Sequence, residues 1–171
     1  NKIICQTKEM KSDILKNVPF LKNKKIVVKS NPLDVNNIKL KVKNYNGIKI
    51  NKNYIFTAGR LIKEKGYDLL IKSYKKYNLY KNYFLVICGD GHELNSLKEI
   101  TNKLGLNNKV LFIGYKSNPY FLMKDAALCV VSSRIEGFPN VLNEMILLNK
   151  KVLSSYCTES ISEIDFIFKS D

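Results

Sequence analysis

Two glutamates, Glu136 and Glu144, bracket a Gly-Phe-Pro-Asn turn that follows a short apolar run. Gly137 permits close approach of the backbone to a bound molecule, and Pro139 suits the first turn of a helix, where its missing amide hydrogen would be unpaired. Carboxylates accept hydrogen bonds from paired hydroxyls, so the pattern predicts a helix start that holds a hydroxyl-bearing anion. The alternative is two surface carboxylates that interact favourably with the helix dipole. The amides expected to face the anion belong to Phe138, Asn140 and Val141.

A second candidate lies in the segment AGRLIKEKG, residues 58–66, at the end of a predicted strand. Gly59 permits a tight turn, and Arg60 and Lys65 flank the start of the next predicted helix. Two cations beside the free amides of a helix start form a cradle for a diphosphate. The spacing leaves open the alternative that both side chains are exposed in an ordinary surface loop.

The segment GDGHEL, residues 89–94, is similar to a phosphate-binding loop but does not complete the GxGxxG pattern. Leu94 stands where the third glycine belongs, and no acidic residue follows at the distance expected for a ribose ligand. The segment is therefore not predicted to bind a dinucleotide. His92 is interpreted as a polar surface residue at a helix start.

Lysines and tyrosines alternate in KSYKKYNLYKNY, residues 72–83, as they would in a platform for stacking bases. The same spacing gives an amphipathic helix with packed tyrosines and solvated lysine stems, and we favour this interpretation. The residues predicted to share the packed face are Tyr67, Leu70, Ile71, Tyr74 and Tyr77.

Short, nearly continuous apolar runs alternate with helical patterns from about Tyr54 onward, up to a helix predicted from about Pro139 to Asn149. This alternation predicts a doubly wound α/β fold, with a parallel sheet covered by helices on both faces. Ligands of such sheets bind beyond the carboxyl ends of the strands. The turns expected to form the site follow Ala58, Cys88, Ile113 and Ser133.

The first fifty residues show a different pattern, with two predicted strands, a helix in KEMKSDILKN, and a Lys- and Asn-rich stretch over residues 35–53. We interpret residues 1–50 as the end of an N-terminal domain and an interdomain linker. Residues 51–171 are interpreted as a ligand-binding domain that is truncated at its C-terminus. Because the chain starts at Asn1, we expect it to be cut from a longer protein.

The formal net charge of +14 raises the question of an anionic partner. Arg60 and Arg134 are the only arginines, so the charge is carried by lysine, which is common on solvated faces and does not make bidentate base contacts. Nucleic acid is therefore not predicted as a partner. An anionic membrane or substrate and a bias of composition toward lysine both remain open.

The four cysteines are far apart in the sequence and have one histidine to accompany them, so no metal site is predicted. Cys88 and Cys129 lie in apolar strand-like runs and are expected to be small buried side chains. The sequence has no apolar run of membrane-spanning length. We expect the protein to be cytoplasmic.

Four segments together carry a resemblance to a known family: GRLIKEKGYDLLI, VICGDG, VLFIGY and above all EGFPNVLNE. They resemble the C-terminal, nucleotide-sugar-binding domain of the family 4 (group 1) retaining glycosyltransferases of GT-B fold. The resemblance runs from about Tyr54 to Ser155, and SNPLD before it is similar to the interdomain crossover of that family. The paired-glutamate segment is specific when it follows the Arg–Lys segment in this order.

The resemblance implies roles for individual residues. Arg60 and Lys65 would bind the donor diphosphate, and Glu136 would contact the donor sugar. Glu144 would bind the ribose hydroxyls. The catalytic group would thus be Arg60, Lys65 and Glu136, and no metal or other cofactor would be required. The remaining residues expected to line the donor site, with Tyr115 and Lys116 beside the base, are Gly59, Gly89, Tyr115, Lys116, Gly137, Phe138, Pro139, Asn140 and Val141.

The resemblance also implies an activity: a hexosyltransferase-type enzyme that moves a sugar, with retention, from a UDP or GDP donor to a glycan or lipid-linked acceptor. Such an enzyme would serve polysaccharide or lipopolysaccharide biosynthesis at the inner face of a membrane, with peripheral contact to anionic lipid. Two alternatives remain at this point. One is a non-catalytic nucleotide-sugar-binding module, and the other is a basic nucleic-acid-binding domain.

The sequence departs from the family near its end, where CTESISEI has Ser160 and Ile161 in place of a Gly-Pro pair before Glu163. The loop is therefore not expected to keep the usual geometry of the family. Since the donor site of this family lies between two domains, we expect the isolated chain to be inactive.

Overall fold

The computed structural model describes residues 2–149 and 151–157, which contain two parallel sheets. The smaller sheet pairs β1 (Lys2–Cys5) with β2 (Lys25–Val28), and α1 (Lys8–Asn17) connects them. Thr7 caps α1, because its Oγ1 accepts a hydrogen bond of 3.0 Å from the Met10 amide. The two strands and the helix of the first fifty residues are thus found as predicted.

The larger sheet has five parallel strands in the order β5-β4-β3-β6-β7. The chain moves outward from β3 through β4 to β5 and then returns to the other side of β3, which is the doubly wound arrangement that the sequence predicted. Ala58 and Cys88, the last residues of two neighbouring strands, pair in register. The strands are β3 (Tyr54–Ala58), β4 (Phe84–Cys88), β5 (Val110–Phe112), β6 (Leu128–Val131) and β7 (Val152–Ser154).

Helices cover both faces of this sheet. Side chains of successive strand residues point to opposite faces and pack against the helices on each side. Phe56 packs in one core with Leu122 and Met145, whereas Ile55 packs in the other with Ile71. Both faces of the strands are therefore buried, which explains their nearly continuous apolar sequence. The helices are α2 (Val35–Lys43), α3 (Tyr67–Lys76), α4 (Leu94–Lys103), α5 (Tyr120–Asp125) and α6 (Asn140–Leu148).

Two local predictions are wrong. Residues 35–43, expected to be linker, form α2, which Asp34 caps by accepting the Asn37 amide at 3.0 Å. The helix escaped the sequence analysis because Ile38 is its only buried residue. Tyr77 is 66% exposed, since α3 ends at Lys76 and Tyr77 no longer follows the helical spacing of the packed face.

The other tyrosines of the Lys–Tyr segment support the packing interpretation, because Tyr74 is buried in the core and Tyr80 and Tyr83 pack against it. Cys88 and Cys129 are buried as predicted. No helix within the described part of the chain combines the length and apolar character needed to span a bilayer. The departure at Ser160, Ile161 and Glu163 lies outside the described residues.

Candidate functional site

A cleft of 580 Å³ opens at the carboxyl ends of β3 and β4, where the fold predicts that ligands bind. Its wall brings together residues from four separate segments of the chain. The predicted site residues that line it are Gly59, Arg60, Gly89, Tyr115, Lys116, Val141 and Glu144. Ala58, Cys88, Asp90, Pro119 and Met123 complete the wall.

Gly89 allows the loops after β3 and β4 to touch at the base of the cleft. Its φ is +155°, and a Cβ at this position would overlap the carbonyl oxygen of Gly59. The Gly59 amide in turn donates to the Cys88 carbonyl oxygen at 3.0 Å. The two glycines therefore form a base of backbone atoms, without side chains that would occupy the space beside Arg60.

Lys65 and Glu136 form an ion pair next to the cleft, with 2.5 Å between Nζ and Oε1. The Ser133 hydroxyl donates to the same carboxylate oxygen at 2.6 Å. The small pocket around this pair shares Ala58 and Val141 with the wall of the larger cleft. A positive group from the β3–α3 loop and a negative group from the β6–α6 loop thus meet at one edge of the sheet.

Gly66 and Ser132 fix the backbone that carries Lys65. Gly66 has a φ of +64°, and a Cβ there would overlap the Ser132 carbonyl oxygen. The Ser132 hydroxyl donates to the Lys65 carbonyl oxygen at 2.9 Å. A side chain at position 66 would both strain the backbone and separate the loop from β6, so this glycine keeps Lys65 within reach of Glu136.

Glu144 enters the cleft from the second turn of α6. The Tyr120 hydroxyl donates to its Oε1 at 3.3 Å. Burial raises the pKa of Glu144 above its usual range, while the Tyr120 hydrogen bond and the charge of Lys41 act in the opposite direction. Burial, followed by the nearby carboxylate, also raises the pKa of Tyr120, so its hydroxyl remains a donor at neutral pH.

The turn before α6 differs from its predicted geometry. Pro139 is the N-cap rather than the first helical residue. The Asn140 amide, expected to face an anion, donates to the Phe138 carbonyl oxygen at 3.0 Å, so that it is already engaged. Gly137, Phe138, Pro139 and Asn140 are absent from the wall of the 580 Å³ cleft. The physical reason is that the Phe138 and Pro139 side chains are buried against the domain.

This turn instead faces the N-terminal sheet. The Asn31 amide group donates to the Asn140 side-chain oxygen at 2.8 Å, and a Cβ on Gly137 would come within 2.8 Å of the end of the Met10 side chain. The contact arises between distant parts of the sequence, and the local pattern EGFPN gave no sign of it.

Arg134 has a structural role. Its guanidinium binds both oxygens of Asp68 at 2.8 Å each, and its Nη1 also donates to the Lys63 carbonyl oxygen at 2.8 Å. The hydrogen bond from Arg134, opposed by burial, lowers the pKa of Asp68. His92 is exposed as predicted, and its Nε2 is 4.0 Å from Glu93 Oε1.

Several residues around the site were missed by the sequence analysis. Ser132, Ser133 and Tyr120 contact predicted site residues directly, and Lys41 reaches the Tyr120 ring at 5.8 Å. The available signal was the Ser-Ser pair at the end of a predicted strand, at the edge of the sheet where ligands bind.

Residues 39–164 match the family described as "Glycosyl transferases group 1". The match covers most of the chain, and the chain therefore belongs to this family. The parallel sheet with helices on both faces is the Rossmann-like half of a GT-B glycosyltransferase.

Two curated relatives align with nearly the whole chain. An uncharacterised glycosyltransferase of Methanocaldococcus jannaschii is 38% identical over 95% of this chain and 41% of its own length. The N-acetylgalactosamine-N,N'-diacetylbacillosaminyl-diphospho-undecaprenol 4-alpha-N-acetylgalactosaminyltransferase of Campylobacter jejuni is 31% identical over 99% of this chain and 44% of its own length. The chain thus spans less than half the length of these relatives.

A solved structure, Anabaena Alr3699/HepE in complex with UDP and glucose, superposes with a TM-score of 0.74 at 20% identity. The superposition covers 93% of this chain and 45% of the Anabaena protein. At this identity the likeness concerns the fold alone.

Proposed function

We propose that this chain is the donor-binding half of a retaining, hexosyltransferase-type glycosyltransferase that uses a UDP or GDP sugar. The observation that carries the proposal is the arrangement at one sheet edge. Arg60 and Glu144 line a single cleft, and the Lys65–Glu136 ion pair lies directly beside it. A nucleoside-diphosphate sugar requires positive charge at its centre and hydrogen-bond acceptors for the hydroxyls at both ends.

In this proposal Arg60 and Lys65 bind the diphosphate. The diphosphate gains negative charge as the sugar departs, and two fixed cations stabilise that charge without reorganising at the moment of reaction. The structure supports a positioned Lys65, because its ammonium group is held at Glu136 and its backbone is held by Ser132. The protein supplies this charge from its own side chains, so we propose that transfer needs no metal or other cofactor.

Glu136 orients the donor sugar and offsets positive charge as the transition state becomes oxocarbenium-like. Attack on the face from which the diphosphate departs would retain the anomeric configuration, so that Glu136 need not act as a nucleophile. This role is supported by the ion pair with Lys65. The carboxylate proposed to contact the sugar lies next to the ammonium group proposed to bind the diphosphate.

The nucleoside would occupy the larger cleft. Glu144 would accept hydrogen bonds from the ribose hydroxyls, and Tyr115 and Lys116 would lie beside the base. The cleft volume of 580 Å³ is within the range of small-molecule sites, and its base of glycine backbone leaves room for a flat ring.

The acceptor is proposed to be a glycan or a lipid-linked sugar. The name of the Campylobacter jejuni relative specifies a diphospho-undecaprenol-linked acceptor, which supports a role in polysaccharide or lipopolysaccharide biosynthesis at the cytoplasmic face of a membrane. The net charge of +14 supports peripheral contact with anionic lipid, and the presence of only two arginines argues against base-reading contacts with nucleic acid. Because the acceptor would enter between two domains, we propose that the isolated chain does not complete transfer.

Calorimetric titration with UDP, GDP and ADP tests the donor site. We expect UDP or GDP to bind, and Arg60→Ala to weaken that binding about 10- to 100-fold, the effect of losing a charge-assisted hydrogen bond. Lys63→Ala is the matched control, since this exposed lysine lies in the same loop but outside the cleft wall. No binding even to the two-domain protein, or equal losses in both variants, would contradict the assignment.

Turnover of the two-domain protein distinguishes an enzyme from a non-catalytic binding module. Glu136→Gln should reduce kcat at least about 100-fold while donor affinity is partly retained, because the carboxylate acts on the departing sugar. A protein with no transferase activity toward any lipid-linked acceptor, yet with normal donor affinity, would favour the binding module.

A further inference from the structure

We propose that Ser133 is a positioning residue that holds the Glu136 carboxylate in place for the donor sugar, with Ser155 fixing Ser133 from behind. This inference rests on the proposed function of Glu136 and adds two residues to which that function gave no role. It is argued from the hydrogen bonds at the ends of β6 and β7.

Two donors hold the Glu136 carboxylate through one of its oxygens. Lys65 Nζ at 2.5 Å and Ser133 Oγ at 2.6 Å both bind Glu136 Oε1. Within residues 2–149 and 151–157, no recorded hydrogen bond reaches Oε2. One oxygen is thus anchored by two donors, and the other is left to accept a hydroxyl of the sugar.

Ser133 is itself fixed. It is 3% exposed, and its carbonyl oxygen accepts a hydrogen bond of 2.6 Å from Ser155 Oγ. The Ser155 amide is bound to the Val131 carbonyl oxygen at 2.9 Å, and the Glu136 amide to that of Cys157 at 3.1 Å. The backbone of Ser133 and that of Glu136 are thus both hydrogen-bonded to the segment that follows β7.

The two donors to Glu136, the Lys65 ammonium group and the Ser133 hydroxyl, differ in charge. When the nucleotide-sugar donor binds, before the sugar departs, the Lys65 ammonium group turns from Glu136 toward the diphosphate and stays there through the reaction. The Ser133 hydroxyl carries no charge, so a diphosphate does not attract it over a distance as it attracts the ammonium group. Ser133 can therefore keep the carboxylate oriented both before donor binding and while Lys65 is engaged elsewhere.

The neighbouring Ser132 acts on the other member of the pair. Ser132 and Ser133 directly follow the last residue of β6, and the Ser132 hydroxyl donates to the Lys65 carbonyl oxygen while the Ser133 hydroxyl donates to Glu136. The Ser-Ser dipeptide thus holds the loop of the cation with one hydroxyl and the carboxylate with the other.

The test is steady-state kinetics of the two-domain protein with Ser133→Ala, Glu136→Gln and the double variant. We expect Ser133→Ala to lower kcat about 10-fold and to change KM for the donor less than about 2-fold. In the Glu136→Gln background the same substitution should cause no further loss, because a positioning residue acts through the residue it positions. Ser117→Ala, at an exposed loop position, is the control.

If Ser133→Ala does not fold, Ser155→Ala takes its place, with an expected loss of about 3-fold in kcat alone. Equal losses from Ser133→Ala in both backgrounds, or a change confined to KM, would overturn the inference and leave the proposed function intact. Full turnover by Glu136→Gln would overturn both, since there would then be no catalytic carboxylate to position.

Discussion

The two arginines of this chain occupy opposite electrostatic situations. Both terminal nitrogens of the Arg134 guanidinium donate to the Asp68 carboxylate. Arg60 lines the cleft and has no carboxylate partner within the described residues. Lys65 lies between these two cases, because it is next to the cleft but its positive charge is neutralised by the Glu136 carboxylate. We therefore expect Arg60 to attract an anionic ligand first, and Lys65 to become available as the ligand competes with Glu136.

Glu144 provides a prediction that links stability to function. Its pKa is raised mainly by burial, so its charged form costs stability in the folded protein. That cost is absent below the usual pKa of 4.5 and develops as the pH rises through the higher folded-state value. Glu144→Gln should therefore raise Tm at pH 7 by about 1 to 3 °C, and thermal unfolding at pH 4 should show a smaller difference.

The same substitution should weaken nucleotide binding about 5- to 20-fold at pH 7, because an amide offers one acceptor oxygen where the carboxylate offers two. Asp90→Asn serves as the control, since Asp90 lines the same cleft but is exposed and its carboxylate binds its neighbouring amide. A destabilised Glu144→Gln protein at pH 7 would show that the charged carboxylate stabilises the folded protein and would contradict this prediction.

At the scale of elements, the site depends on close backbone contact between loops that follow different strands. The β3–α3 loop touches the end of β6 through Gly66, and the loops after β3 and β4 touch through Gly89. These contacts need glycine for space as well as for backbone conformation. They explain why the strand ends bring a lysine and a glutamate together from loops 71 positions apart in the sequence.

Gly66→Ala and Gly105→Ala form a matched pair that separates the need for space from the need for a left-handed backbone conformation. Both glycines are left-handed, with φ of +64° and +66°, but a Cβ overlaps the Ser132 backbone at Gly66 and meets nothing within 4 Å at Gly105. Urea unfolding should show a loss of about 1 kcal/mol for Gly105→Ala and clearly more, about 2 to 4 kcal/mol, for Gly66→Ala. Losses of equal size would mean that close packing of the loop on β6 contributes nothing.

At the scale of the whole molecule, side-chain amides connect the two sheets. The Gln6 amide group donates to Asn31 Oδ1 at 2.9 Å, and the Asn31 amide group donates to Asn140 Oδ1 at 2.8 Å. This chain of hydrogen bonds ends at the start of α6, the helix that carries Glu144. It joins residues predicted to belong to an N-terminal domain to the donor-binding domain.

Asn31→Ala removes both hydrogen bonds at once. We expect it to lower the free energy of unfolding by about 1 kcal/mol, a modest effect because the Asn31–Asn140 bond is exposed. Asn23→Ala, an exposed asparagine of the smaller sheet's connecting turn, should change it by less than about 0.5 kcal/mol. Equal effects in denaturant unfolding would mean that the connection between the sheets adds no stability.

From Tyr54 onward the sequence by itself predicted the alternation of strands and helices, the parallel sheet, and Arg60 and Glu144 at the carboxyl ends of its strands, whereas Tyr115 was implied only by the family resemblance. It could do so because apolar periodicity is a local property, and because parallel strands place every strand-to-helix turn at one edge. The tertiary structure alone decided which side chains meet there. The Lys65–Glu136 pair and the two serines that hold it depend on contacts between distant segments, and such contacts are set by packing rather than by spacing along the chain.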